Sequence, residues 1–460
     1  NGGAPEEVQA AMVDREGNPL LSATKDERKW ARAAAAAKDV MEMNYYHLYT
    51  TGRREHGDIA FPSTLQPQKD PENHFDEKPW PEGYMDIDPF ESYRSVFNGA
   101  ISAYENPELI FTRGRNQGGE GINVMCIHQL PRREGKGYNS HGMTQKQCDA
   151  YYMNDGSDCP GMNDMYANQP GYENPLRYNS DPRPTDLVTE EELANYPELG
   201  PKGVGVCKQY AQREPRFYAS VGYNGATWNL LNADESKDEV KNVQIFYYRG
   251  DPNGYKNTTY WPRTGISIKK YIHPDDMSNT LQTSYDQSRM NNSKVDPAIR
   301  YAEVLLIYAE ALNELSGSYD IPSWDGSRTY TISRKIDEMK KGIQPIRIRA
   351  GIPDYTADIY EDQTKFRIKL KRERQIELFA EGHRYFDLRR WCDAPQEESA
   401  QVYGCNAYST KNMSTIFHTP TVTPSLPSIF TTKMWFWPIH HDELKHNKEL
   451  TQNPGWRDPE

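Results

Sequence analysis

Residues 369–391, KLKRERQIELFAEGHRYFDLRRW, place eleven charged side chains and one histidine in a single short stretch. Glu377, Glu381, His383 and Asp387 are the residue types that general acid–base catalysis uses. The stretch lacks the H-E-x-x-H spacing that holds zinc on a helix. A catalytic helix is therefore one interpretation of this stretch, and two others compete with it.

The second interpretation is a nucleic-acid-binding helix, because Lys369–Arg374 is strongly basic. Four acidic residues interrupt the basic ones, and the whole chain carries a net charge of −12, so a polyanion would be repelled. The third interpretation is structural, and it explains more of the pattern. Basic and acidic groups three or four positions apart pair along a helix, and a buried stripe lies beside them. The predicted pairs join Glu373 and Glu377 to Lys371, Arg374 and Arg384, and the predicted stripe is Ile376, Phe379, Ala380 and Phe386.

Three helices are predicted to position this stretch. The first begins at Thr24, which forms a capping box with Glu27, and ends near residues 45–49. The second spans 296–315, with Asp296 as its N-cap and Pro297 at its first position. The third is the charged helix, spanning 363–391, and a connection of about 50 residues separates it from the second. Extended segments are expected at 108–112, 244–250 and 266–272.

The amino-acid composition favours a ligand-binding protein and argues against a membrane-spanning one. The chain has 31 tyrosines and nine tryptophans among 460 residues, and such rings suit surfaces that contact ligands. No run approaches the ~20 apolar residues that a membrane-spanning helix needs. The six cysteines contain no C-x-x-C pair, so a zinc ribbon is not indicated, and local disulfides Cys148–Cys159 and Cys392–Cys405 stay open.

A series of segments carries a resemblance to a known family. ERQIELFAEGHRYFDLRRW resembles the C-terminal signature of the SusD/RagB family of nutrient-binding outer-membrane lipoproteins of Bacteroidetes. Seven further segments resemble parts of the family's sequence and occur in the same order. They are 23–49, 144–156, 213–228 (REPRFYASVGYNGATW), TGISIKKYI, IRYAEVLLIYAEALNE, RIRAGIP and the closing FWPIHHDELKHNKELTQNPGW. Together these segments span nearly all of the chain.

The resemblance implies a mainly α fold, with tetratricopeptide-like helix pairs as a scaffold, a large irregular loop-rich region and few short strands. It divides the chain into 1–49 as part of the helical scaffold, 50–296 as the ligand-binding region, and 297–460 as the C-terminal scaffold with its closing element. Family members begin with a secretion signal, a lipidated cysteine and about four further helices. The resemblance therefore implies that this chain is a C-terminal portion, a cleaved form, or a chain whose start is missing here or supplied separately.

The resemblance also implies the function. It predicts a non-catalytic protein, anchored by lipid at the cell surface, that captures a nutrient oligosaccharide and acts as the lid of a SusC-like TonB-dependent outer-membrane barrel. Neither nucleic acid nor a cofactor is expected, although a bound Ca²⁺ stays open. Membrane contact is expected only through an N-terminal lipid anchor that this chain does not show.

Candidate ligand-binding residues are aromatic rings on loops with polar neighbours, because sugar C–H faces stack on rings while polar groups bind the hydroxyls. The best candidate is the pair Tyr260-Trp261, which Pro262 follows in a polar loop. The full set is Trp80, Tyr84, Tyr223, Trp228, Tyr255, Asn257, Tyr260, Trp261 and Arg263. The rings of Tyr223 and Trp228 are equally explained by packing, because both lie within a family motif.

Three other functions stay open at this point. A peptide-binding lid of the same type would also use aromatic rings. A glycoside hydrolase would need paired carboxylates about 5 to 10 Å apart, which a sequence does not reveal. A tetratricopeptide interaction scaffold would bind peptides or proteins along its helices.

Overall fold

The computed structural model describes residues 4–22, 24–54, 65, 68–113, 121–132, 134, 137–161, 179, 181–230, 242–256, 260–276, 293–424 and 428–457. Within these ranges, no helix is both long enough and apolar enough to cross a bilayer. Asn257, one of the predicted ligand residues, lies outside the described residues.

Helices dominate the described part of the chain. They are α1 Glu6–Ala10, α2 Glu27–Glu42, α3 Pro89–Arg94, α4 Ile122–Gln129, α5 Gln145–Ala150, α6 Pro215–Ser220, α7 Tyr301–Asn313, α8 Ile336–Ala350, α9 Ala357–Glu361, α10 Gln363–Glu377, α11 His383–Arg390, α12 Ala394–Ser399, α13 Ser414–His418 and α14 His441–His446.

The strands are short and pair only in twos within the described residues. They are β1 Leu109–Thr112, β2 Val221–Gly222, β3 Ala226–Trp228, β4 Val243–Ile245, β5 Ser267–Ile268, β6 Pro297–Arg300, β7 Tyr319–Pro322, β8 Thr329–Ile332, β9 Tyr403–Gly404 and β10 Thr421–Val422. The antiparallel pairs are β1–β6, β2–β5, β3–β4, β7–β8 and β9–β10. The predicted mainly α fold with few short strands is confirmed.

Helix α7 lies at the centre of the scaffold, because α2, α8 and α10 all pack against it. Its small residues Ala302 and Ala309 are fully buried and let neighbouring helices approach closely. At the contact with α8, Gly342 leaves no room for a side chain, since a Cβ there would lie 2.4 Å from the Leu305 carbonyl oxygen. Close helix pairs of this kind are what the sequence predicted for the scaffold.

The main hydrophobic core is continuous across the three predicted parts of the chain. One cluster of buried residues extends from Ala31 in α2, through Tyr210 and Phe217 in the irregular region, to Phe417 in α13. The division into 1–49, 50–296 and 297–460 stays a prediction.

Two predicted helix starts are wrong. The side chain that caps α2 is Asp26, which accepts a hydrogen bond from the Arg28 N–H, rather than Thr24. Residues Pro297–Arg300 form strand β6 instead of the first turn of a helix, so α7 begins at Tyr301. Pairing with β1 explains the second error, because strand hydrogen bonds from a distant segment override a local capping pattern.

The charged stretch is two helices rather than one. Helix α10 ends at Glu377 and α11 starts at His383. Between them Ala380 and Gly382 have positive φ angles of 61° and 86°, which no α-helix continues through. The predicted connection before this stretch also contains structure, namely the β7–β8 hairpin and helix α8.

The acidic residues of α10 and of the break after it are buried in ion pairs with distant cations. Glu377 binds Arg216 (2.9 Å) and Arg300 (2.8 Å), and it also pairs with Arg349. Glu373 binds the guanidinium of Arg216 at 2.6 Å. The structural interpretation is therefore right, whereas the predicted partners Lys371, Arg374 and Arg384 on the same stretch are wrong for these carboxylates.

The predicted buried stripe is partly wrong. Ile376 is fully buried, and Phe379 and Ala380 are half-buried, whereas Phe386 is 59% exposed. The break after α10 explains the exposure, because α11 follows a new axis and no longer continues the stripe. All six cysteines are free thiols, so neither local pair forms a disulfide in this structure.

Candidate functional site

Four of the predicted ligand residues lie on one loop between β4 and β5. Tight packing fixes the part of this loop around Gly254, because a Cβ there would come 1.8 Å from the Tyr248 carbonyl oxygen. The buried Asn253 side chain accepts from the Arg132 N–H (2.8 Å) and donates to Glu134 (2.7 Å). This part of the loop is thereby attached to the segment that follows α4.

The first group of rings on this loop surrounds Trp261. Tyr255 lies edge-on to Trp261 with ring centres 4.9 Å apart, and Tyr408 lies 4.7 Å from Tyr255. The Arg263 guanidinium lies 4.2 Å from the centre of the Trp261 ring. Trp261 is only 4% exposed, whereas Tyr408 is 45% exposed. Trp261 therefore forms the buried side of this group, and Tyr408 faces solvent.

The second group of rings surrounds Tyr260. Its ring stacks on Tyr138 at 5.4 Å, and the Arg132 guanidinium lies 5.3 Å from its centre. Tyr138 in turn contacts His128, which stacks on His141 at 4.9 Å. Burial, and then the neighbouring His128, lower the pKa of His141, so this imidazole is neutral at pH 7.

Because Tyr260 and Trp261 are adjacent, the two groups form one region, here called the aromatic surface and defined by Tyr138, Tyr255, Tyr260, Trp261 and Tyr408. Its exposed rings are Tyr260 (41%) and Tyr408 (45%). Guanidinium groups of Arg132, Arg249 and Arg263 lie beside the rings. Such a surface offers apolar faces next to hydrogen-bond donors, which is the combination that a sugar or a peptide needs.

Other predicted residues are buried away from this surface. Tyr223, Trp228 and Tyr84 are 5%, 1% and 1% exposed. Tyr223 stacks on Tyr210 at 5.0 Å, and the Lys269 ammonium lies 5.4 Å from the Trp228 ring. Packing is the role that the structure shows for these rings, and their contact with a ligand stays a prediction.

Trp80 and Tyr84 belong to a different place in the molecule. Tyr84 packs with Phe75, Ile87 and Ile348 in a small separate cluster, and the half-buried Trp80 packs against that cluster. The structure therefore brings together Tyr255, Tyr260, Trp261 and Arg263, and it leaves Trp80 and Tyr84 apart from them.

Sequence reasoning missed Tyr138, Tyr408 and Arg132. Tyr138 lies in the polar segment KGYNSHG and Tyr408 in CNAYST, so both have the same loop context that singled out Tyr260. That context is common among the 31 tyrosines, and only the fold selects these two.

The carboxylates of the charged stretch are not available for hydrolysis. The side chains of Glu373, Glu377 and Glu381 are completely buried in their ion pairs. Burial alone would raise the pKa of Glu377, but the guanidinium groups of Arg349, Arg300 and Arg216 outweigh it and hold that pKa well below its usual value. Among the described residues, no cluster of three or more His, Cys, Asp or Glu side chains is placed to hold a metal ion.

A helical scaffold that presents exposed aromatic rings beside guanidinium groups is an arrangement suited to ligand binding at the protein surface. Comparison with known proteins assigns the class further, because the model of the SusD family matches residues 107–456, more than half of the chain. The chain belongs to the SusD family. No curated protein sequence matches it significantly.

Solved structures share the fold at low sequence identity. BT4246, as selenomethionine protein, is 20% identical with a TM-score of 0.68, over 99% of this chain and 71% of that one. A SusD-like protein of Bacteroides fragilis is 23% identical with a TM-score of 0.52, over 80% of this chain and 57% of that one. A second B. fragilis protein, described as a SusD-like carbohydrate binding protein, is 19% identical with a TM-score of 0.50, over 92% and 62%. The chain thus spans between 57% and 71% of the length of these relatives.

Proposed function

We propose that this protein captures an oligosaccharide at the cell surface without breaking or forming a covalent bond. The observation that carries the proposal is the aromatic surface, where the exposed rings of Tyr260 and Tyr408 lie beside guanidinium groups. Aromatic rings already packed against one another bind sugar C–H faces with less loss of side-chain entropy than free rings would.

Family membership supports the same function. One structural relative is described as a carbohydrate binding protein, and its fold extends over 92% of this chain. By the same resemblance, the protein is anchored by lipid at the outer membrane and acts as the lid of a TonB-dependent barrel, to which it delivers the ligand. The mainly helical scaffold would move as the rigid body of that lid.

A capture role fits the state of the acidic groups better than hydrolysis does. Glycoside hydrolysis needs two carboxyl groups that reach the substrate. The acidic groups of the charged stretch are instead neutralised within the protein by Arg216, Arg300 and Arg349. The Ca²⁺ ion that the sequence left open remains a prediction.

Isothermal titration against neutral polysaccharides, acidic polysaccharides and a peptide digest tests the proposal. Saturable binding of a neutral polysaccharide is expected, and Tyr260→Ala should weaken it by about tenfold, the usual cost of one stacking ring. Tyr260 is a better target than Trp261, whose side chain is 4% exposed and would disturb packing when removed.

Tyr104→Ala is the matched control, because Tyr104 is fully exposed and makes no ring contact among the described residues. It should bind as the unmodified protein does. Binding of the peptide digest alone would show that the ligand is a peptide and not a glycan. New reducing ends in the polysaccharide mixture would instead show a hydrolase.

A further inference from the structure

A cavity separate from the aromatic surface opens on the scaffold between α5, α10, α12 and β9. Its volume is about 210 Å³. This exceeds the ~150 Å³ of an apolar cavity that binds benzene and is smaller than the ~300 Å³ at which drug-sized pockets begin. The size suits one sugar ring.

The walls of the cavity are polar and carry both signs of charge. Lys146 and Arg384 both bind the carboxylate of Glu397, with Arg384 at 3.2 Å. Gln375 donates to the Gln147 side-chain oxygen at 3.0 Å, and this amide pair is buried. Gln401 and Tyr403 complete the rim, where the Tyr403 hydroxyl donates to Gln401 at 3.2 Å.

Mixed charge selects the chemistry of the occupant. Lys146 and Arg384 both bind the Glu397 carboxylate, so much of their charge is already satisfied within the protein and a singly charged ligand would gain little from them. A hydroxyl group both donates and accepts, so it matches amides, carboxylate and cations alike. A neutral, hydroxyl-rich unit is therefore the best match.

The cavity is joined to the aromatic surface by two short chain segments. One runs from His141, which stacks against the Tyr260 group, to Thr144 on the cavity wall. The other runs from Tyr403 on the cavity wall to Tyr408 on the aromatic surface. These segments span at most about 11 Å and 18 Å if fully extended. Both are hydrogen-bonded to the same turn, since Met143 binds Ile266 and Cys405 binds Thr264.

We infer that this cavity is a subsite for a single neutral sugar unit, the end or a side branch of the glycan held on the aromatic surface. The inference rests on the proposed function and deepens it. A branch reaching from the surface into the cavity would make recognition depend on glycan structure rather than on stacking alone.

Filling the cavity tests the inference without removing a hydrogen bond. Ala400→Trp places a large ring in the cavity from its wall. Gln396→Trp is the matched control, because Gln396 is exposed on the same helix, α12, and does not line the cavity. If Ala400→Trp does not fold, Gln401→Ala replaces it in the test; this variant does remove the hydrogen bond from Tyr403 at the rim, and it should weaken the same binding.

Saturation-transfer NMR would use glucose, galactose, mannose and N-acetylglucosamine as neutral probes, with glucuronate and glucosamine as charged probes. At least one neutral probe is expected to bind saturably to the unmodified protein and to Gln396→Trp. The binding should be lost or weakened at least about tenfold in Ala400→Trp. Failure of every neutral probe, equal binding by Ala400→Trp, or preference for a charged probe would each overturn the inference.

Two further results separate this inference from the proposed function. If Tyr260→Ala abolishes the monosaccharide signal and Ala400→Trp does not, the sugar lies on the aromatic surface and the subsite is wrong while the function stands. If monosaccharide binds in the cavity but no polysaccharide binds the protein, the capture function fails while the cavity remains a sugar site.

Discussion

Glu377 illustrates how single residues hold this fold together. Its carboxylate is completely buried and receives hydrogen bonds from Arg216, Arg300 and Arg349. Burying a charge of this kind costs free energy of folding unless the charge is paired. The buried guanidinium groups would be equally unfavourable if the carboxylate were removed. Each charged group of the cluster is therefore stable in the interior only while the others are present.

Glu377→Gln is expected to lower the free energy of unfolding by about 3–5 kcal/mol, because it leaves three buried guanidinium groups with one carboxylate fewer. Urea unfolding followed by circular dichroism measures the loss. The control is Glu361→Gln at the exposed end of α9, which should change the stability by no more than about 0.5 kcal/mol. Similar losses of stability in both variants would show that the buried ion-pair cluster does not stabilise the fold.

His418 couples stability to pH. Burial lowers the pKa of this imidazole to about 3, against 6.5 for an exposed histidine. The unfolded chain therefore takes up a proton below pH 6.5 while the folded protein does not. The stabilisation is complete above pH 6.5 and is lost as the pH falls from 6.5 towards 3.

From this one group, the free energy of unfolding should fall by about 1 kcal/mol between pH 6.5 and 5.5. His418→Gln should remove that part of the pH dependence, even if it lowers stability at every pH. His446→Gln, an exposed position, should leave the slope unchanged. Urea titrations at the two pH values measure the free energy of unfolding of each variant. If His418→Gln shows the same pH dependence as the unmodified protein, His418 is not the group responsible.

At the scale of elements, the break between α10 and α11 positions charges as well as ending a helix. Lys270 donates to the Phe379 carbonyl (2.6 Å), and Tyr271 donates to the Ala380 carbonyl (3.2 Å). Arg113 donates to the Glu381 carbonyl. These donors satisfy the carbonyl groups that the broken helix leaves open.

Ala380 adopts a positive φ of 61°, a conformation that costs an alanine about 1–2 kcal/mol. Ala380→Gly is therefore expected to raise the free energy of unfolding by about 1 kcal/mol. The same substitution at the exposed Ala36, inside α2, should lower it by about 1 kcal/mol. Thermal unfolding of both variants measures the two signs, and destabilisation by Ala380→Gly would show that the break is not strained.

Local patterns predicted the elements better than their ends. The helical periodicity around residues 301–313 and 363–377 was enough to find α7 and α10. Their true starts and stops depend on distant groups, such as the β1 strand that captures Pro297–Arg300. The same limit applies to the site. Tyr260, Tyr255 and Trp261 were identified from their loop, but Tyr138 and Tyr408 join them only through folding.

The partners of the buried glutamates were unpredictable for the same reason. Arg216 and Glu373 are 157 positions apart in sequence, and no local spacing connects them. What the sequence did indicate is that so many charges of both signs would neutralise one another. That is a statement about the composition of the stretch, and the pairing itself is a property of the fold.

At the scale of the whole molecule, the ion-pair cluster joins the irregular region to the C-terminal scaffold. Arg216 belongs to the irregular region, whereas Arg300, Arg349 and Glu377 belong to the scaffold. Tyr93, also from the irregular region, donates its hydroxyl to the Glu377 carbonyl at 3.0 Å. Unfolding either part alone would leave buried charges of the other part unpaired, so the two parts should be lost together.

Cooperative unfolding is therefore expected even though the chain is long. Fluorescence of the nine tryptophans reports tertiary structure in both parts, because Trp228 and Trp261 are buried in the irregular region and Trp435 is buried in the scaffold, while far-ultraviolet circular dichroism reports mainly the helices. The two signals should change at the same urea concentration in the unmodified protein. Glu377→Gln should shift both midpoints together. If the fluorescence instead changes in two separate steps, one of them at lower urea than the circular dichroism, the two parts unfold independently, and the cluster does not couple them.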